Sequence, residues 1–120
     1  MDVAGVDEKE AVLDMLLDIK MRNVLVVVEG LKDKRALFKL GITNVMVLSK
    51  PLYAVVEEIE SLAKEVVLLV DLDAEGKKIY NVLKRDLMNH KVKVDDSLRR
   101  ALFRTPIRHI EGLATYLSDS

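Results

Sequence analysis

Two kinds of apolar pattern alternate along the chain. Ala11, Val12, Met15, Leu16 and Ile19 recur at helical spacing and predict an amphipathic helix over 8–20. Asp7 and Glu10 ahead of it have the spacing of a capping box, with Asp7 as N-cap. Residues 24–28 are instead an unbroken, β-branched apolar run, the pattern of a strand covered on both faces. Glu29-Gly30 ends that run, 33–40 reads as a helix, and Gly41 stands where a glycine would stop it. Residues 45–48 repeat the strand pattern. Pro51 suits a helix's first turn, and Leu52, Val55, Val56, Ile59, Leu62 and Ala63 form one apolar stripe behind it. A third buried-type strand, 66–70, runs straight into Asp71-Leu72-Asp73. Gly76 opens a further helical segment whose buried face is Ile79, Val82, Leu83 and Leu87. Val92 and Val94 suggest a short extended piece, Asp95 or Asp96 a cap for a short helix to about Phe103, and 107–110 a last strand after Pro106.

Strand and helix in strict alternation is the order of a parallel sheet with crossover helices. The expected fold class is therefore α/β: a central, mainly parallel sheet of about four strands flanked by helices, with an extra N-terminal helix. Neither an internal repeat nor a linker interrupts the 120 residues, so one compact domain is expected. Half of the residues are apolar (50%) and 32% are charged, which supplies a real core. The net charge of -1 means that any nucleic-acid-binding surface must be a local patch. The absence of cysteine excludes disulfides, zinc ribbons and thiol catalysis. No apolar run reaches the roughly 18 residues of a membrane span. The Met1-Asp2 start lacks the basic residues of a signal peptide, so no membrane association and a cytoplasmic location are expected.

The candidate chemistry lies at strand ends. In open parallel sheets, ligands bind outside the carboxyl ends of the strands. Glu29 falls at the end of the first strand, Asp71 and Asp73 at the end of the third. If 71–73 stays extended, both Asp side chains share a side. If the first and third strands are neighbours, all three carboxylates converge. Three close carboxylates repel, so either their pKa values rise or a cation sits among them. Hard oxygen ligands with no His or Cys nearby favour Mg²⁺ or Mn²⁺ over zinc. Taken singly, each acid reads equally well as a helix cap or turn former. An EF-hand is excluded, because counting from Asp71 puts Val82 where a bidentate Glu is needed.

Glu29-Gly30-Leu31-Lys32-Asp33 after one apolar strand, then Asp71-Leu72-Asp73-Ala74-Glu75-Gly76 after another, resembles the Toprim domain. That domain is shared by type IA and II topoisomerases, DnaG-type primases, ribonuclease M5, OLD-family nucleases and RecR-type repair proteins. The chain is similar to the short stand-alone Toprim proteins of archaea, nearest in style to the ribonuclease M5 branch. The resemblance implies a Rossmann-like Toprim fold over 22–112, with 1–21 a helical extension and 113–120 a tail. It implies that Glu29 is a general acid/base or metal ligand, that Asp71 and Asp73 hold Mg²⁺, and that Gly30, Asp33 and Gly76 support them. Asp33 reads equally as an acid in a helix's first turn. The chain is too short to carry a topoisomerase's tyrosine-bearing domain, and it lacks the cysteines of a primase or RecR zinc module.

The chemistry of this family acts on phosphodiesters, so RNA or DNA is the implied partner. Lys32, Lys34 and Arg35 follow the Glu29-Gly30 loop, and Lys77 and Lys78 directly follow the loop that ends at Gly76. Arg99, Arg100, Arg104 and Arg108 form a third basic group beside His109. Each group reads equally as a solvated helix face, and His109 reads as structural. Aromatic residues are too few for a base-stacking platform. The resulting expectation is a Mg²⁺- or Mn²⁺-dependent nuclease-like enzyme using Glu29, Asp71 and Asp73. The alternative is a non-catalytic nucleic-acid-binding or adaptor module. A homodimer through 8–20 and membership of a larger processing complex both stay open.

Overall fold

The computed structural model describes residues 4–118. The helix α1 (Ala4–Arg22) leads into β1 (Leu25–Val28), α2 (Leu31–Lys39), β2 (Val45–Val47), α3 (Leu52–Leu62) and β3 (Glu65–Leu68). Then come α4 (Ala74–Asn89), β4 (Lys93–Asp95), α5 (Ser97–Leu102), a 3-10 turn (Ile110–Gly112) and α6 (Leu113–Ser118). The four strands form one sheet in the order β2-β1-β3-β4, every pair parallel. The expected α/β class and parallel sheet are thus observed.

Strand alternation divides the core into two layers. Val26, Val28, Val67 and Leu69 face one side, where they meet Val12, Leu16 and Ile19 of α1, Leu37 of α2, Leu98 and Leu102 of α5, and Ile110 and Leu113. Val27, Val66, Leu68 and Val70 face the other side, against Val55, Val56 and Ile59 of α3 and Leu83 and Leu87 of α4. Both faces are covered, which is why these strands carry apolar residues without a break.

Helix ends follow the local chemistry. Gly41 adopts a φ of 86° just past α2. Its N–H bonds the Phe38 carbonyl at 2.9 Å, and the Ile42 N–H bonds the Leu37 carbonyl at 3.0 Å. That pair of bonds satisfies the last carbonyls of the helix and needs the left-handed residue between them. The same pair ends α4, with Lys91 in the left-handed position at φ 62°: Lys91 N–H to Met88 and Val92 N–H to Leu87. Here a side chain occupies a conformation that suits glycine.

Three expectations need correction. Helix α1 already runs at Ala4, so Asp7 lies a turn inside it and is not its N-cap, and only residues 1–3 of the expected frayed start lie outside the described residues. Gly76 does not open α4, which begins two residues earlier, after Asp73. Residues 107–110 form no strand. Instead this extended stretch lies beside the Asp71 loop, bonding it through Leu72 N–H to Arg108 O at 2.9 Å, and then enters the 3-10 turn. The bend between α5 and this stretch is fixed locally: the Thr105 hydroxyl donates to Leu102 O and accepts from Ile107 N–H. A single backbone bond to the Asp71 loop is not enough for a fifth strand.

Candidate functional site

Because β1 and β3 are neighbours, the segments that follow them meet at the carboxyl end of the sheet. Glu29 Oε1 accepts the Asp71 N–H at 3.0 Å. Alternation through 71–73 sends Leu72 into the core, where it is buried, and leaves Asp71 and Asp73 on the opposite side. Asp71 Oδ1 accepts the Ile110 N–H at 2.9 Å, which ties the loop to the 3-10 turn. Asp73 is the N-cap of α4, its Oδ1 accepting the Gly76 N–H at 2.8 Å. Its other oxygen lies 3.3 Å from His109 Nε2. Asp71, Asp73 and His109 each bring one donor atom to a common point, all within 4.8 Å of one another.

Gly76 explains how Glu29 and Asp71 come so close to α4. A Cβ on Gly76 would stand 2.0 Å from the Asp71 carbonyl oxygen and 2.9 Å from Glu29 Oε1. Only hydrogen fits there, so the first turn of α4 packs against the Asp71 backbone. Gly30 is different: a Cβ there would meet nothing nearer than Asp33 Oδ2 at 3.9 Å. Its backbone, at φ -142° and ψ 174°, is ordinary extended chain, so neither sterics nor conformation demands glycine at that position. Asp33 is buried and accepts the Gly30 N–H at 3.0 Å, closing the first turn of α2. It thereby performs the capping role that its first-turn position suggested, while facing the same cleft.

The cleft holds about 570 Å³ and is lined by Glu29, Asp33, Asp71, Glu111, His109 and Arg35, among others. Its acids are uneasy. Burial pushes the Glu29 carboxyl above its ordinary value; the Asp71 N–H works against this, and repulsion from Asp71, Asp73 and Asp33 reinforces it. Asp71 is also raised, by burial first, with the Ile110 N–H and His109 opposing and Asp73 and Glu111 adding repulsion. Asp33 is raised by burial and by the charge of Asp71. No Lys or Arg ion pair to a described residue neutralises Glu29, Asp33, Asp71 or Glu111. Each of Glu29, Asp71 and Asp73 fixes one oxygen on a backbone N–H, a preorganised cage whose remaining charge a divalent cation would neutralise. Two carboxylates and an imidazole form a donor set for a divalent ion, and the imidazole, which the sequence pattern did not place here, suits a transition ion such as Mn²⁺ better than Mg²⁺.

The expected residues divide. The structure brings Glu29, Asp71, Asp73, Gly76 and Asp33 to one place. His109, expected to be structural, stands with the two aspartates as a third donor, and Glu111 joins the cleft wall unforeseen. Both lie in 107–112, and only contact with the Asp71 loop reveals them. The basic residues scatter. Arg99 does not reach solvent: it is 4% exposed and donates from Nε to Val70 O at 3.1 Å and from Nη2 to Asp71 O at 2.9 Å. Its guanidinium also stacks 4.3 Å from the Tyr80 ring centre. It is a brace beneath the Asp71 loop, not a phosphate contact. Arg100 is paired with Asp96 at 3.0 Å, and Arg108 donates to the Thr105 and Ile107 carbonyls. Lys32, Lys77, Lys78 and Arg104 are exposed.

Comparison with known proteins bears on the whole arrangement. The family model of the Toprim domain matches residues 24–97. A UPF0292 protein of Methanocaldococcus jannaschii is 28% identical over 117 residues, covering 91% of each chain. One from Pyrococcus abyssi is 34% identical, covering 87% of this chain and 77% of its own. The solved structure of a protein from Aquifex aeolicus superposes with a TM-score of 0.76 at 36% identity, covering 85% of this chain and 94% of that one. No helix among the described residues is long and apolar enough to cross a membrane. The motif-bearing strands, the parallel order and the carboxylates at their ends all fall within the matched segment, and the chain belongs to the Toprim domain family.

Proposed function

We propose that the protein is a divalent-metal-dependent phosphodiesterase acting on RNA or DNA. The observation that carries this reading is the convergence of Asp71, Asp73 and His109 beside Glu29 at the carboxyl end of the sheet. Asp71 and Asp73 would hold the ion, Mg²⁺ or Mn²⁺, which supplies positive charge opposite the scissile phosphate; His109 would add a third donor to Mn²⁺, since imidazole is a poor ligand for Mg²⁺. Glu29 would serve as the proton-transferring group, its carboxyl held beside the ion by the Asp71 N–H. Arg99 would keep the Asp71 backbone in place. Gly76 would let the N-terminal turn of α4 close against Glu29.

A binding-only reading has one observation in its favour. Glu29, Asp71 and Asp73 all hold backbone N–H groups, so the same residues also build the loop and would persist in a module that only docks nucleic acid. A cleavage assay separates the two readings. Single-stranded RNA, single-stranded DNA and duplex DNA are incubated with Mg²⁺ or Mn²⁺, using the natural chain and the Asp71→Asn/Glu29→Gln double variant. Metal-dependent cleavage lost in the variant supports the enzyme. Binding without cleavage under every condition sinks it in favour of the adaptor.

A further inference from the structure

The outward face of α2 is unlike the other helix surfaces. Its nine residues carry four cations, Lys32, Lys34, Arg35 and Lys39, and one acid, Asp33, which is buried against Gly30. Leu31, Lys34, Arg35, Phe38 and Lys39 follow at helical spacing on one exposed stripe, opposite the buried Asp33, Ala36 and Leu37. Phe38 is 66% exposed and Leu31 59%. No ion pair to a described residue engages any of the four cations. Other apolar side chains are as open, Tyr53 at 69% among them, and what sets Phe38 apart is the cations Lys34, Arg35 and Lys39 on its own stripe.

The stripe is continuous with the acidic cleft. Leu31 and Arg35 line both the cleft and the shallow depression around Phe38. Phe38 lies seven residues beyond Leu31, about 10 Å along the helix axis at 1.5 Å per residue. A strand whose phosphate lies at the cleft can therefore continue along α2, its backbone against Lys34, Arg35 and Lys39 and an unstacked base on Phe38. A duplex keeps its bases stacked inside and offers none to the ring, whereas a single strand does. The cations alone would fit any polyanion; the open ring among them selects the unpaired strand.

We propose that α2 is a single-strand-binding track, with Phe38 as a base-stacking side chain and Lys34, Arg35 and Lys39 as phosphate contacts, which feeds the cleft. This rests on the reading of the cleft as a nucleic-acid site and narrows its substrate to single-stranded RNA or DNA. Few aromatics argued against a stacking platform; one well-placed ring suffices for one base.

Fluorescence anisotropy in EDTA, with a mixed-sequence 12-nucleotide RNA, the same DNA and its duplex, tests the proposal without metal or turnover. Phe38→Ala is expected to weaken single-strand binding by about five- to hundredfold and duplex binding by less than twofold, with Phe38→Tyr restoring most of the loss. Lys34→Ala with Arg35→Ala is expected to reduce the salt slope of single-strand binding by about 1.4, at roughly 0.7 per phosphate contact. The substituted side chains are exposed, and circular dichroism confirms that the variants fold. If the natural chain binds strands that Phe38→Ala and the double variant bind equally well, the track is refuted and the cleft reading stands. If the natural chain binds none of the three nucleic acids, with or without Mn²⁺, the cleft reading falls as well. If Phe38→Ala instead turns a dimer into a monomer in sedimentation without changing strand affinity, the face joins copies of the chain and the proposal is overturned.

Discussion

Two groups of acids at the ends of adjacent strands meet opposite fates. Asp95, the last residue of β4, and Asp96 after it are saturated with partners. Asp95 accepts from Ser97 and Arg22, and Asp96 from Tyr80, from Lys84 at 3.0 Å and from Arg100 at 3.0 Å. Burial pushes both carboxyls up, yet these donors outweigh it and hold both below the ordinary range. Glu29, Asp33 and Asp71, after β1 and β3, are comparably sheltered, but their donors are backbone N–H groups and their charged neighbours are mostly one another, so all three rise. The fold thus neutralises acids fully where they serve structure. At the cleft it instead assembles uncompensated negative charge on a rigid frame, at a cost to its own stability. Such an arrangement is expected where an external cation completes the site.

The largest effect should come from removing charge at the cleft without removing shape. Asn in place of Asp71 keeps an oxygen for the Ile110 N–H and so preserves the loop. Metal-dependent cleavage by Asp71→Asn should fall roughly a thousandfold, the equivalent of several kcal/mol of transition-state charge stabilisation. The check is initial rates at saturating Mn²⁺. Next is packing: Gly76→Ala drives a methyl into the Asp71 backbone, and chemical denaturation should show a loss of about 3 kcal/mol, the upper end for overpacking. A normal Gly76→Ala stability would mean that α4 can retreat from Glu29, and the rigid-frame half of the contrast would fail.

The structural acids should show the reverse sign. Asp96→Asn is expected to destabilise by about 1–3 kcal/mol at neutral pH, because buried donors lose a charged acceptor. Asp96 has a folded pKa below its ordinary 3.8, so its stabilisation is full above that value and is lost as pH falls through the lower folded value. Asp71, also ordinarily 3.8, has a raised folded value. It opposes folding in full above the folded value, and this penalty shrinks as pH falls through that value and is gone below the unfolded one. Urea denaturation across acidic pH should therefore show a shallower acid loss in Asp96→Asn and a steeper one in Asp71→Asn than in the natural chain. The smallest effect sharpens the background: Lys91→Gly relieves a left-handed lysine and should add about 1 kcal/mol without touching metal response.

How far the sequence foretold these regions follows from the range of the interactions involved. The unbroken runs at 24–28 and 66–70 announced buried parallel strands, because both faces of such strands are covered and leave no polar alternation. Glu29 and Asp71 were legible because each directly follows such a run, and Asp73 because it stands two residues beyond Asp71. His109 and Glu111 were not: no periodic pattern marks 107–112, and their place depends on Ile110 N–H finding Asp71 across 39 residues of sequence. Arg99 misled for a related reason. Four arginines close in sequence look like one basic patch, but a short helix turns Arg99 into the core to bond Val70 and Asp71 carbonyls, while Arg100 faces Asp96. Charge counted along a chain does not say which guanidinium finds water.

The contrast between satisfied and unsatisfied acids reduces to one measurement: thermal unfolding of the natural chain and of Asp71→Asn, in EDTA and across a Mn²⁺ titration. The account predicts that in EDTA Asp71→Asn is at least as stable as the natural chain. Mn²⁺ should then stabilise the natural chain by about 2.7 kcal/mol at a hundredfold excess over its dissociation constant, and the variant hardly at all. A natural chain indifferent to Mn²⁺, together with an Asp71→Asn variant less stable in EDTA, would show that Asp71 serves the fold alone and would contradict the account.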